Sequence, residues 1–181
     1  MKYGRLTSQP DRKIFMNDSK FDYSTLWDLI KGIRFGMLTH RHDDGMLYSH
    51  PLTTQNKSLD KGSVLYFFIF EKSELASGLR QDGNVNVSYA SPDDDSYVSI
   101  AGKARVVRDP AKAEQLWSPA AKAWFPGGPT DPNLALLVVE IGHAEYWDVE
   151  ESKMKQLFEM TKAALTGERP HLGDHKEINL T

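Results

Sequence analysis

The chain has 181 residues, 22 Lys+Arg against 25 Asp+Glu, and no Cys. That length favours one domain, since domains usually run about 100–200 residues. Without Cys there is no disulfide, thiolate metal site or thiol nucleophile, and a net charge of −3 argues against a dedicated nucleic-acid binder, which is typically basic.

Residues 1–20 are polar and aperiodic and read as an N-terminal arm. Ser24 suits the N-cap of a helix through Leu26, Trp27, Leu29 and Ile30 to about Gly32. The period then changes. A strand is expected over 34–41, a turn at His42-Asp43-Asp44-Gly45, and a second strand over 46–55. Pro51 in that strand implies an edge or a bulge. The aromatic, β-branched run 64–70 is a strand. A short helix follows over 71–82, with Ser73 as N-cap and Gly83 as stop. Strands are expected over 85–90 and 97–108, with Gly102 marking a bend or bulge. Pro110 suits the first turn of a helix through Leu116 and Trp117, which 120–125 could continue. A rigid Pro/Gly loop leads to strand material over 134–149, broken near Gly142. Residues 152–165 read as a closing helix and 166–181 as a polar tail. The fold class is therefore mainly β, an antiparallel barrel of about six strands with peripheral helices, over residues 21–165.

No apolar run approaches the roughly 18 residues that a membrane span needs, and residues 1–5 do not open a secretory leader. A cytoplasmic protein with no membrane partner is expected. Metal chemistry finds little support. His40 and His42 stand two apart beside Asp43 and Asp44, and His171 and His175 four apart in a tail with Pro170 and Gly173, so solvated turn and tail histidines are the simpler reading. No Gly-x-Ser-x-Gly elbow or Gly-rich phosphate loop occurs. The aromatics are more informative. Most belong in a core, but Trp124-Phe125-Pro126-Gly127-Gly128 is poor core material. Large aromatics in such loops often cover a ligand or a partner.

Several stretches, in this order and spacing, carry a resemblance: Ser49-His50-Pro51-Leu52-Thr53-Thr54-Gln55, Leu65-Tyr66-Phe67-Phe68, residues 79–89 and Ala101-Gly102-Lys103-Ala104. So does a late block from Trp117 to Phe125 and on through Gly128, Asp131-Pro132, Leu136-Leu137-Val138 and Ala144-Glu145-Tyr146-Trp147-Asp148. Over about residues 22–162 the chain resembles the pyridoxamine-phosphate-oxidase-like flavin-binding split barrels, and among them the bacterial general stress proteins.

The resemblance implies a six-stranded split barrel, a homodimer, and FMN in each of two clefts between the chains, with FAD or riboflavin as alternatives. It implies that Ser49, His50, Pro51, Leu52 and Thr53 run along the flavin, and that Phe68, Ile69 and Phe70 bring backbone to it. Lys72, Ser73, Glu74 and Leu75 fall where the phosphate is held, and Trp147 matches an aromatic from the second chain. Trp124 joins this set as a loop aromatic. Many relatives carry Arg at His50 and an Arg-Lys pair at Glu74-Leu75. Here Lys72, Ser73 and helix N-terminal amides would have to substitute, since such amides bind anions unaided. The substrate motif of true pyridoxamine phosphate oxidases is missing from the tail, so that activity is not expected. Two functions follow: a flavin-binding stress protein with some oxidoreductase activity, or a non-catalytic dimer acting as flavin carrier or interaction module. No catalytic residue is assigned.

Overall fold

The computed structural model describes residues 23–59, 62, 64–148 and 174–179. Helix α1 (Tyr23–Ile30) leads into the hairpin β1 (Gly36–Arg41) and β2 (Leu47–Leu52). Then come β3 (Val64–Phe70), α2 (Glu74–Gln81), β4 (Asn84–Ser91), β5 (Ser96–Val107), α3 (Pro110–Leu116), β6 (Leu134–Asp148) and β7 (Asp174–Asn179). The strands form one antiparallel sheet in the order β2-β1-β4-β5-β6-β3, with β7 also paired to β6. The two ends of that order meet. Thr54 bridges Phe67, and the Gln55 amide donates to the Tyr66 carbonyl at 2.8 Å. The sheet thus curls into a barrel closed at one short seam, and it is a split barrel, mainly β.

Local chemistry explains the elements. Burial alternates along β3, with Leu65, Phe67 and Ile69 inside. Ser73 caps α2 through its side chain, and Asp109 caps α3 with Pro110 in the first turn. Between β5 and β6 the register jumps from Ala101↔His143 to Gly102↔Ile141, so Gly142 has no partner. The expected break in the last strand is this bulge, and β6 runs on through it.

The main core lies inside the barrel, where Leu38, Leu65, Phe67, Val87, Ile100, Leu137 and Val139 meet Leu26 and Ile30 of α1 and Leu75 and Leu79 of α2. Residues 134–139 are buried without interruption because both faces of β6 are covered. Ala135, Leu137 and Val139 face the barrel core, while Leu134, Leu136 and Val138 meet α3 and the loop after it.

Three expectations change. Residues 166–181 are not tail throughout, since β7 pairs with β6 within them. The segment after α3 does not continue that helix, because Trp117 leaves it in extended backbone and a separate 3-10 turn follows at Pro119–Ala123. Phe125 is core: it is buried, and its ring lies 5.0 Å from that of Phe70. The expected arm over 1–20 and helix over 152–165 fall outside the described residues. Among the described residues no helix is long and apolar enough to cross a membrane.

Candidate functional site

The open seam between β2 and β3 collects most of the candidate residues. Beyond the Thr54–Phe67 bridge these strands share no ladder. Backbone alternation shows what the gap exposes. The Tyr66 carbonyl accepts from Gln55 and the Tyr66 amide donates to Asn56 Oδ1 at 2.8 Å, so both point toward β2. Two residues on, the N–H and C=O of Phe68 point the same way, into the gap. The Phe70 carbonyl is occupied by the N–H and O–H of Ser73. The side chains of Phe68 and Phe70 turn outward against Trp117 and Phe125, and Ile69 turns into the core.

Across the gap, β2 is paired on one edge by β1, with Leu38 opposite His50 and Gly36 opposite Leu52. Pro51 offers no N–H, which an edge strand tolerates. Ser49 is exposed and its hydroxyl is 2.7 Å from that of Thr39. His50 is half-buried, and its Nε2 lies 3.2 Å from Nε2 of His40, with the rings stacked at 5.3 Å. Burial, then the charges of His40 and His42, hold the His50 imidazole below its ordinary pKa.

The start of α2 forms one end of the seam. The Ser73 hydroxyl donates to the Phe70 carbonyl at 2.7 Å and accepts the Ala76 amide at 3.1 Å, so it serves as a cap. The amides of Glu74 and Leu75 have no intrahelical acceptor. Lys72 and Glu74 are exposed, and Leu75 is buried in the core. Glu74 faces β2: its charge is among the causes, after the hydrogen bond and charge of Asp44 and burial, that raise the Tyr48 phenol.

The aromatics divide. Trp124 is the most exposed large hydrophobic side chain among the described residues, 69 % accessible, beside Phe125, whose ring lies against Phe70. Buried Asp131 fixes its loop, accepting the amides of Gly127 and Asn133 at 2.9 and 2.8 Å. Those bonds hold its carboxyl below the usual carboxylate range. Trp147 is elsewhere. Ile69 pairs with Ala135, and Trp147 lies twelve positions further along β6, up to about 40 Å at roughly 3.3 Å per residue. A cavity of about 310 Å³ lies between α3 and the outer face of β3, β5 and β6, lined by Tyr66, Arg105 and Lys112 among others. None of the candidate residues lines it.

Sequence reasoning missed two groups. Buried His40 contacts His50, although it reads as a turn histidine. Its inward phase on β1 and the Asp-Gly hairpin were the available signals. Tyr89 is also buried, with its hydroxyl 2.6 Å from Thr54 Oγ1, bracing the seam from β4. Burial pushes that phenol up to about 12.

A family model described as pyridoxamine 5'-phosphate oxidase like matches residues 22–171. The crystal structure of the general stress FMN/FAD binding protein from Xanthomonas citri is 36% identical, with TM-score 0.63, over 72% of this chain and 90% of that one. General stress protein 26 of Bacillus anthracis str. Sterne shares the fold at TM-score 0.58 and 24% identity, over 66% of this chain and 88% of that chain. Protein bli-3 of Neurospora crassa is 24% identical over 158 residues, 81% of this chain and 74% of that protein.

Proposed function

Since the chain belongs to the pyridoxamine 5'-phosphate oxidase-like family, we propose that it is a flavin-binding protein of the general stress type. FMN is its cofactor, with FAD or riboflavin as alternatives. The open seam carries this reading: Phe68 turns a backbone donor and acceptor into a gap flanked by residues 49–53. A flavin ring requires such a place, with a flat slot and backbone partners for its carbonyls and N–H. Ser49, His50, Pro51, Leu52 and Thr53 flank the ring on one side, and Phe68, Ile69 and Phe70 on the other. Exposed Lys72 and the free amides of Glu74 and Leu75 offer the donors for a phosphate. When bound, the flavin supplies hydride or electron transfer. The chain's own residues bind it, orient it and shield it, with Trp124 as a cover at the Phe70 end.

Trp147 lies twelve positions along β6 from Ala135, the partner of Ile69, and a homodimer in which it walls the partner's cleft would give it a place against the flavin. Such an obligate interface buries on the order of 2,000 Å² or more. A cytoplasmic location belongs to the same reading. A second reading has its own support: Ser73 is engaged as a cap and Glu74 places a carboxylate at the phosphate end. Weak phosphate binding of that kind fits a non-catalytic flavin carrier or interaction module.

Purified protein titrated with FMN tests the assignment. Saturable quenching of flavin fluorescence and a dimer mass by light scattering at micromolar concentration are expected. Colourless protein with no FMN binding overturns the flavin assignment, and a monomer mass overturns the shared cleft.

A further inference from the structure

With both imidazoles neutral, the His40–His50 contact has one consistent arrangement of protons. His40 Nδ1 lies 3.0 Å from the Arg41 carbonyl oxygen, which can only accept. Nδ1 of His40 therefore carries the hydrogen. A neutral His40 then has a lone pair at Nε2, and Nε2 of His50, 3.2 Å away, must donate to it. That leaves the lone pair of His50 on Nδ1. This atom has no partner among the described residues, and the His50 ring is only half-buried. The His40 ring is 1 % exposed, and its neighbours are a carbonyl, an imidazole and Gly78.

We propose that His40 is a positioning residue that fixes the tautomer of His50, so that His50 presents Nδ1 at the seam as a hydrogen-bond acceptor. Its partner is an N–H or O–H of the bound molecule, such as the imide N–H or a ribityl hydroxyl of a flavin. This rests on the flavin reading for the ligand but not for the tautomers. The pair also accepts a proton without separating. Protonated His50 still donates from Nε2 to His40, while Nδ1 turns from acceptor to donor. The seam would then repel the group it had bound. The groups around the pair are His42 just after β1, Tyr48 on β2, Asp44 in the hairpin turn and Glu74 at the head of α2. Opposite His40, β4 presents Val85.

The test has two arms on the full chain. Nitrogen-15 NMR of the imidazoles without ligand at pH 8 should find His40 as the Nδ1–H tautomer and His50 as Nε2–H. A His40 that is mainly Nε2–H overturns the proposal. In the second arm the probe is riboflavin, which has no phosphate to titrate. Its affinity should be level well above the pKa of His50, which burial holds below its ordinary value, and should fall by up to about tenfold per pH unit once the pH drops below that pKa. In His50→Gln, which keeps an acceptor that does not titrate, the slope should vanish. In His40→Leu, with folding checked by circular dichroism, binding at pH 8 should weaken and the His50 tautomers should mix. Riboflavin binding that is independent of pH in the natural chain overturns the acceptor role alone. If neither riboflavin nor FMN binds at any pH, the flavin reading fails, and the ligand role of Nδ1 fails with it.

Discussion

Tyr89 and Glu74 show how single side chains set the seam. The hydroxyl of buried Tyr89 meets Thr54 at 2.6 Å, two residues beyond β2 and at the bridge that closes the barrel. Tyr89→Phe should lower stability by about 1 kcal/mol at pH 8, the usual worth of one such bond. The sign reverses in alkali. Burial raises the folded pKa from 10.0 to about 12, so the unfolded chain loses its proton first. The stability tied to neutral Tyr89 is complete below pH 10 and disappears as pH rises through 12, about 3 kcal/mol in all. Urea unfolding of both proteins should show a gap favouring Tyr89 at pH 8 that closes or inverts near pH 11. A gap that stays constant would show that Tyr89 ionises as readily folded as unfolded. Glu74 acts through charge. At an effective dielectric of about 20, two unit charges a few ångströms apart interact by about 4 kcal/mol, and exposure leaves a fraction of that. Glu74→Arg should therefore tighten FMN by about tenfold, less as salt rises, and leave riboflavin unchanged. It should also lower the pKa of Tyr48, which Glu74 helps to raise. Equal and unmoved affinities for both flavins would place the phosphate elsewhere.

Strand elements were legible where one face or both faces are buried. The run 64–70 is a strand with the expected bounds, because its aromatic and β-branched residues pack against β6. Ser73 and Pro110 marked helix starts that the caps bear out. Gly102 marked the bulge, for a steric reason: a side chain there would run into the Glu140 carbonyl and Val139. At Gly142, the unpaired residue of the bulge, an added methyl would meet only the Ala101 carbonyl oxygen, at 3.8 Å. Gly102→Ala should thus destabilise by about 1–3 kcal/mol, while Gly142→Ala should cost less than about 1 kcal/mol. Thermal unfolding compares the two directly, and equal losses would contradict the register of β5 on β6.

In the proposed homodimer, each chain would complete the cleft of its partner. Trp147 is 38 % exposed, so truncating it should leave the fold nearly unchanged. In a shared cleft, Trp147→Ala should loosen FMN by about 1–3 kcal/mol through lost stacking, with circular dichroism unaltered. Unchanged affinity in a titration would remove this residue from the cleft wall. Trp124 provides a comparison at the other end of the seam, where Asp131 holds its loop.

The barrel was readable because each strand's own pattern of apolar residues says which face is buried, and turns and caps depend on neighbours within a few positions. The seam was not readable in the same way. Its bridge joins Thr54 to Phe67 across an unpatterned loop, and its brace reaches Thr54 from Tyr89, 35 positions away. The His40–His50 contact lies diagonally across a hairpin, and Phe125 is core only because Phe70 lies against it. Such contacts depend on how the sheet curls and which ends meet, and no local period records that. Composition and spacing could therefore specify the strands and the helix caps, while the curled sheet alone brought two histidines, a buried tyrosine and an unpaired backbone edge to one place.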